Sequence, residues 1–391
     1  MAMPEIHDIA DGSQDALLIR VQAGEYVGWG ECDASPLTSI ASYVCPMSWG
    51  VCKPIRDSVL GQRLDDIDDI RRIGDLVREN SMDILQTDHT LSGIDIALWD
   101  LLGHRLSEPV YRLLGYERAY PKTPYASLLF GQEPQETFHR ARQVRNSGYR
   151  AAKFGWGPFG HGSAEEDADH LRAAREGLGE DGVLLIDAGT VWRDRVQEAA
   201  KRCRALQEVK ATWLEEPFVS GALEAYASLA PLLKPVGLAG GEGCHNVFMA
   251  CQMIDCAALD YIQIDAGRIG GITPAKEVAD YARARGITYV NHTFTTHLAL
   301  SASLQPFAGV QDYALCEYPV EASPMAVRLT RERILPDETG QIHLPEAPGL
   351  GLEPDLDVVR EYLVDVEIRV GGRVLYRTPD VPQTRERFSG T

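Results

Sequence analysis

The chain has 391 residues, 57 acidic against 38 basic side chains, a formal net charge of −19 and 45% hydrophobic residues. Its length allows two domains or one large barrel with an attachment. The charge argues against non-specific binding to nucleic acid or to an anionic membrane, and no apolar run approaches the roughly 20 residues that span a bilayer.

The opening stretch, MAMPEIHDIADGSQD, lacks the basic-then-apolar pattern of a signal peptide. Eight cysteines are scattered without CxxC or His/Cys zinc spacing, which fits a reducing cytosol and predicts a cytoplasmic protein. Next, ALLIRVQAGEYVGWGEC (16–32) alternates like an antiparallel hairpin turning at Ala23–Gly24–Glu25. A polar loop (33–54) follows, then helices through LSGIDIALWDLLGHRL (91–106).

From residue 123 a rhythm sets in. Eight strand-length apolar segments (123–130, 149–154, 182–189, 211–217, 236–243, 260–267, 287–294, 313–319) alternate with helical stretches such as SAEEDADHLRAAREGL. This is the signature of parallel βαβ units. No GxGxxG follows a first strand, so a closed barrel is favoured over an open doubly wound sheet. After 320 the chain is irregular, then VEIRVGGRVLYRT predicts a hairpin around Gly371–Gly372, expected to complete the cap sheet or an oligomer contact. The expected fold is α/β: a modified (β/α)8 TIM-like barrel over 123–320. An α+β capping domain built from both termini (1–122 and 321–391) flanks it.

Working groups in such barrels sit at the C-terminal ends of the strands. The second strand carries Lys153, and the next six end on Asp187, Glu215–Glu216, Glu242, Asp265, His292 and Glu317. Acids gathered in one cleft raise each other's pKa, and a divalent cation resolves the conflict. Mg2+ suits hard oxygen ligands. The candidate ligands are Asp187, one of Glu215 and Glu216, and Glu242. Alternation lets only one of that pair face the axis, and parity alone leaves the choice open. Asp265 and His292 fall on adjacent strands, where a carboxylate orients the imidazole as a general base.

VGWGEC, LSGIDIALWDLLG, LIDAG, WLEEP, GGEG, QIDAGRIGGIT and NHTF together resemble the mandelate racemase subgroup of the enolase superfamily over nearly the whole chain. The resemblance implies one Mg2+ per site on Asp187, Glu215 and Glu242, an Asp265–His292 dyad, and Glu317 bonded to the substrate carboxylate. It also implies a small carboxylate sugar as substrate and further copies of the chain in a homo-oligomer. Two positions depart from the family pattern. The second lysine of Lys-x-Lys is replaced by Gly155 in Lys153-Phe154-Gly155-Trp156, and Asp-x-Asn becomes Asp187-Ala188-Gly189. With one evident base, racemisation is disfavoured and β-elimination is not. The expected activity is dehydration of an aldonate or aldarate to a 2-keto-3-deoxy acid. An epimerase, racemase or lactone cycloisomerase is the alternative, and a Schiff-base aldolase on Lys153 is a more distant one.

Lys153 is expected to neutralise the substrate carboxylate or the developing enediolate. Tyr43, Met47, Trp49 and Lys53 of the cap loop, with Trp156, His161 and His245, are candidate pocket walls or contacts to distal hydroxyls. Arg268 is expected to order the sixth loop or pair with an acid, and Glu216 to pair with a cation or to support the metal-binding acids from behind. Asp95 and Trp99, four apart on a cap helix, are read as interdomain packing.

Overall fold

The computed structural model describes residues 15–33 and 35–382. The first fourteen residues of the cap segment and the last nine of the tail therefore lie outside the described residues.

Strands β1 (Leu17–Ala23) and β2 (Tyr26–Cys32) pair antiparallel across a two-residue turn at Gly24–Glu25. They lie on the helix Thr87–Leu106, which is buried almost all round and so must be enclosed by protein on every side. The glycines of VGWGEC permit that contact: a Cβ at Gly28 would stand 2.1 Å from the Ala97 carbonyl, and one at Gly30 2.1 Å from the Gly93 carbonyl. Buried Asp100 ties the layers together, accepting from Trp29 N at 2.8 Å and from Leu350 N of the C-terminal segment at 2.7 Å.

Eight parallel strands follow: β3 (Thr123–Leu129), β4 (Ala151–Gly155), β5 (Val183–Asp187), β6 (Trp213–Glu215), β7 (Gly237–Gly240), β8 (Tyr261–Asp265), β9 (Thr288–His292) and β10 (Leu315–Pro319). Their order, β10-β3-β4-β5-β6-β7-β8-β9, makes a nearly closed barrel. At the β9/β10 seam the Asn291 side chain bridges. Its Oδ1 accepts from Glu317 N at 2.9 Å and its Nδ2 donates to Ser303 Oγ at 3.0 Å. Tyr125, Ala151, Leu185, Trp213, Ala239 and Val290 fill the barrel interior beneath the strand ends.

Two sequence expectations are corrected. The fourth strand is only Trp213–Glu215, and the fifth stops at Gly240, so Glu242 lies in the following loop. The C-terminal hairpin, β11 (Glu367–Val370) with β12 (Arg373–Arg377), forms a separate two-stranded sheet and adds nothing to β1–β2. It rests instead on the cap near Arg56, whose Nη1 donates to Leu375 O at 3.4 Å.

The segment between β10 and that hairpin forms the bridges Lys122–Ile342 and Pro109–Gly349. It begins with a five-residue helix, Pro324–Arg328, in the slot where an eighth barrel helix would lie. Asp95 and Trp99 join cap to barrel as expected: Trp99 Nε1 donates to Thr273 Oγ1 at 2.8 Å and Thr273 Oγ1 to Asp95 Oδ2 at 2.5 Å. Among the described residues no helix is long and apolar enough to cross a membrane.

Candidate active site

Strand alternation places Ser127, Lys153, Gly155, Asp187, Glu215, Asp265, His292 and Glu317 together above the filled interior. Asp187 pairs in register with Glu215 and with Gly155, and Asp265 with His292. A cavity of about 250 Å3 opens here, lined among others by Ser127, Lys153, Trp156, Asp187, Glu242, Arg268, His292 and Phe294.

Lys153 is 4% exposed and is the hub. Its Nζ donates to Glu215 Oε1 at 2.6 Å and lies 3.4 Å from Asp187 Oδ2. Glu317 Oε1 stands 2.7 Å from the same nitrogen, close enough for an ion pair though off the hydrogen-bonding angle. Glu317 Oε2 accepts from Thr293 N at 3.0 Å. Burial works against the ammonium, but Glu215, Glu317 and Asp187 outweigh it and hold Lys153 well above its usual range. The lysine is therefore charged and held among acids.

The 215/216 ambiguity is resolved by packing. Trp213 and Glu215 share the inner face, and Trp213 Nε1 donates to Glu215 Oε2 at 3.0 Å. Glu216, at φ +40°, breaks the alternation. Its carboxyl is also buried; burial, then Glu242 and Asp187, push it well above the carboxylate range. Glu216 forms no ion pair among the described residues, which leaves its other expected place, behind the candidate metal-binding acids, and its Oε1 has no hydrogen-bond partner there.

Burial, with Asp187, Glu317 and Glu242 opposing Lys153, pushes Glu215 up to about 8. Burial and Glu242 likewise raise Asp187. Burial acts on Glu242 too, but His292, Arg268 and Lys153 bring it below its usual range. Crowded carboxylates with strained protonation are a donor set of hard oxygens, which fits a divalent cation.

His292 Nδ1 is 2.6 Å from Asp265 Oδ2, while Nε2 faces Glu242 Oε2 at 3.4 Å and Glu317 Oε2 at 3.9 Å. Burial opposes its charged form, yet Glu242, Glu317 and the Asp265 bond hold the imidazole at about 10. Burial and the neighbouring Asp33 raise Asp265 to about 6. Asp33, a cap residue just past β2, was absent from the sequence candidates. Asp33, Asp265 and His292 each bring a ligand atom within 4.8 Å of the others, a buried grouping of a kind that holds a divalent metal. Here Arg268 supplies its positive charge, donating to Asp33 Oδ2 at 2.9 Å and Glu242 Oε1 at 3.1 Å. The signal for Asp33 was its place directly after GEC, visible only once the cap is docked.

The two departures from the family pattern meet in space. A Cβ at Gly155 would lie 2.9 Å from Asp187 Cβ, and one at Gly189 would lie 2.9 Å from Trp156 Cε2. Trp156, at φ +57° and 43% exposed, therefore occupies the wall opposite the dyad.

The remaining candidates stand apart from this cavity. His161 is exposed in the turn after β4. His245 Nδ1 lies 3.1 Å from His89 Nε2 of the cap helix. Lys53 Nζ donates to Asn80 Oδ1 at 2.7 Å, and Trp49 is 59% exposed. Tyr43 packs near Arg56 and the C-terminal hairpin. None of these five lines the cavity, and Tyr43 sits on the helix Pro36–Val44, which occupies part of the stretch expected as a loop over 33–54.

Residues 7–115 match the mandelate racemase/muconate lactonizing enzyme N-terminal domain, and residues 136–358 match the enolase C-terminal domain-like family. The chain is 30% identical to D-galactarolactone cycloisomerase of Agrobacterium fabrum over 70% of this chain and 73% of the relative. It is 29% identical to arabinonate dehydratase of Saccharolobus solfataricus over 70% and 71%. The crystal structure of a predicted mandelate racemase from Rhodobacter sphaeroides superposes with a TM-score of 0.92 at 58% identity, covering 97% of each chain. With this barrel, this cap and this order of acids, the chain belongs to the mandelate racemase/muconate lactonizing enzyme subgroup of the enolase superfamily, and it is an enzyme of that superfamily.

Proposed function

We infer that the chain is a Mg2+-dependent dehydratase of an acid sugar, an aldonate or aldarate. The observation that carries this reading is the asymmetry of the cavity. The His292–Asp265 dyad lines one side, while Gly155 and Gly189 leave the other to the Trp156 indole.

Asp187, Glu215 and Glu242 would hold the cation, which when bound supplies the positive charge that makes a proton beside a carboxylate removable at neutral pH. Lys153 adds an ammonium where negative charge grows, and Glu317 would bond the substrate carboxylate. Glu242, the acid that most favours the charged imidazole, would be offset by the cation it holds, and His292 Nε2, with Nδ1 fixed by Asp265, then takes the α-proton. The electron pair left on Cα forms the Cα–Cβ double bond as the Cβ–O bond breaks. His292 returns its proton to the departing hydroxyl, which leaves as water. The remaining enol becomes the 2-keto-3-deoxy acid by proton transfer to Cβ. One base on one side suffices for this, whereas 1,1-proton transfer needs a second on the opposite face.

The D-galactarolactone cycloisomerase relative supports a second reading, isomerisation of a sugar lactone. An acid-sugar library screened with Mg2+ for 2-keto acid product separates them. Product formation with loss of water supports the dehydratase. α-Proton exchange in D2O, or lactone isomerisation without water loss, transfers the chain to the isomerase branch.

A further inference from the structure

A second cavity lies beside the candidate active site and shares Leu128 with its lining. It measures about 380 Å3, within the roughly 300–1,000 Å3 typical of small-molecule sites. Its walls are the helix Pro134–Asn146, the loops after β9 and β10, and the segment carrying the short helix Pro324–Arg328. The space follows from the topology. Each of the first seven barrel strands is followed by helix, but the first helix after β10 has only five residues and the next begins at Leu356. A hollow remains between the first and last barrel units, where an eighth helix would have packed.

The lining is apolar on one side, with Leu300, Val320 and Leu335, and cationic on another, with Arg140 and Arg333. The single acid, Glu321, is already engaged: it pairs with Arg140 at 3.2 Å and accepts from Leu129 N at 3.0 Å. Arg333 has no ion pair among the described residues and acts at close range on His297 and Tyr318. Burial, then Arg333, hold His297 at about 4, so this wall imidazole is neutral at pH 7. On a chain of net charge −19, a hollow with two guanidiniums and one neutralised carboxylate is a local reversal of sign. Loops after the seventh and eighth strands are also a recurrent place for oxyanion binding in barrels of this kind.

We propose that this cavity is a second small-molecule site, taking a small anionic metabolite with its oxyanion on Arg333 and its carbon body against Leu300, Val320 and Leu335. The site is coupled to the catalytic end by construction. Leu128 lines both cavities, and Thr295 and Thr296 follow His292 after two residues. An occupant therefore contacts the loops that seat His292 and Glu317 without touching either.

Calorimetric titration of the full chain with malonate, inorganic phosphate and glycerol tests the site. Saturable binding of malonate or phosphate, weakened at least ~10-fold in Arg333→Ala, largely kept in Arg333→Lys and lost in the cavity-filling Val327→Trp, is expected. Preference for malonate over phosphate marks a carboxylate ligand, and the reverse a phosphate ester. No saturable binding up to ~50 mM, binding indifferent to Arg333→Ala and Val327→Trp, or glycerol binding as well as the anions, overturns the proposal. Circular dichroism of each variant verifies folding, and Arg333→Lys keeps the test decisive if Val327→Trp does not fold. Because the readout is binding, it stands or falls independently of the dehydratase reading.

Discussion

The indole of Trp156 lies flat against the place where Gly189 has no side chain: a Cβ there would come within 2.9 Å of Cε2 and 3.2 Å of Cδ2. Gly189 also holds φ +53°, which disfavours any other residue. Gly189→Ala is thus expected to destabilise the protein by about 1–3 kcal/mol through overpacking and backbone strain. Urea unfolding of Gly189→Ala, Trp156→Ala and the double variant checks it. Coupling between the two sites is expected, since removing the indole relieves the steric part. Strict additivity would break the link between these positions.

Lys153 is the buried cation shared by Glu215, Glu317 and Asp187. Lys153→Met removes it and leaves the acids uncompensated, an expected loss of about 3–5 kcal/mol in metal-free buffer. Activity on the substrate found by screening should fall at least ~100-fold, because a donor aimed at growing charge is lost. A variant with wild-type turnover would show that the ammonium serves packing alone.

Added Mg2+ should raise the melting temperature of the wild-type chain, and EDTA should reverse the rise. A ligand that binds only the folded state stabilises by about 2.7 kcal/mol at a hundredfold excess over its Kd. The same addition should give a smaller shift in Asp187→Asn and Glu242→Gln. Equal shifts in all three proteins would place the cation elsewhere, with the Asp33–Asp265–His292 group the next position to probe.

His104, on the cap helix, lies 3.5 Å from Asp100 and 3.5 Å from Glu353 of the C-terminal segment. The Asp100 bond, then the charges of Asp100 and Glu353 against burial, raise its pKa above the usual imidazole value of 6.5. The folded state therefore binds the proton more tightly than the unfolded one. The contribution is complete below the unfolded value and is lost as pH rises through the raised folded value. His104→Gln should cost about 1 kcal/mol at pH 5.5 and less at pH 9, read from urea midpoints at both. A cost that is flat with pH would show that packing, not charge, is what His104 supplies.

Much of the architecture was legible in the chain itself. Period-two and helical patterns alternate so regularly from residue 123 that a closed barrel follows. Asp187, Glu215, Asp265 and His292 end their strands as read, Glu317 stands two residues inside the end of its strand, and Asp95 and Trp99 join cap to barrel. Of the pocket walls, Trp156 was legible and the others were not. Tyr43, Trp49, Lys53, His161 and His245 are the right residue types near the right strands, yet their loops pack elsewhere. Lys122 shows the same limit: nothing local signals that its ammonium is buried on the carbonyls of Phe307, Val310 and Tyr313.

The sequence by itself determined which residues alternate and what charge they bring to the mouth of the barrel, because backbone periodicity is local. Only the tertiary structure decided that Glu216 turns back among the acids, that Asp33 and Arg268 reach the dyad from two domains, and that Trp156 closes the face opposite His292. Those outcomes depend on which distant surfaces meet and on the space left between them, and no window of sequence holds that information.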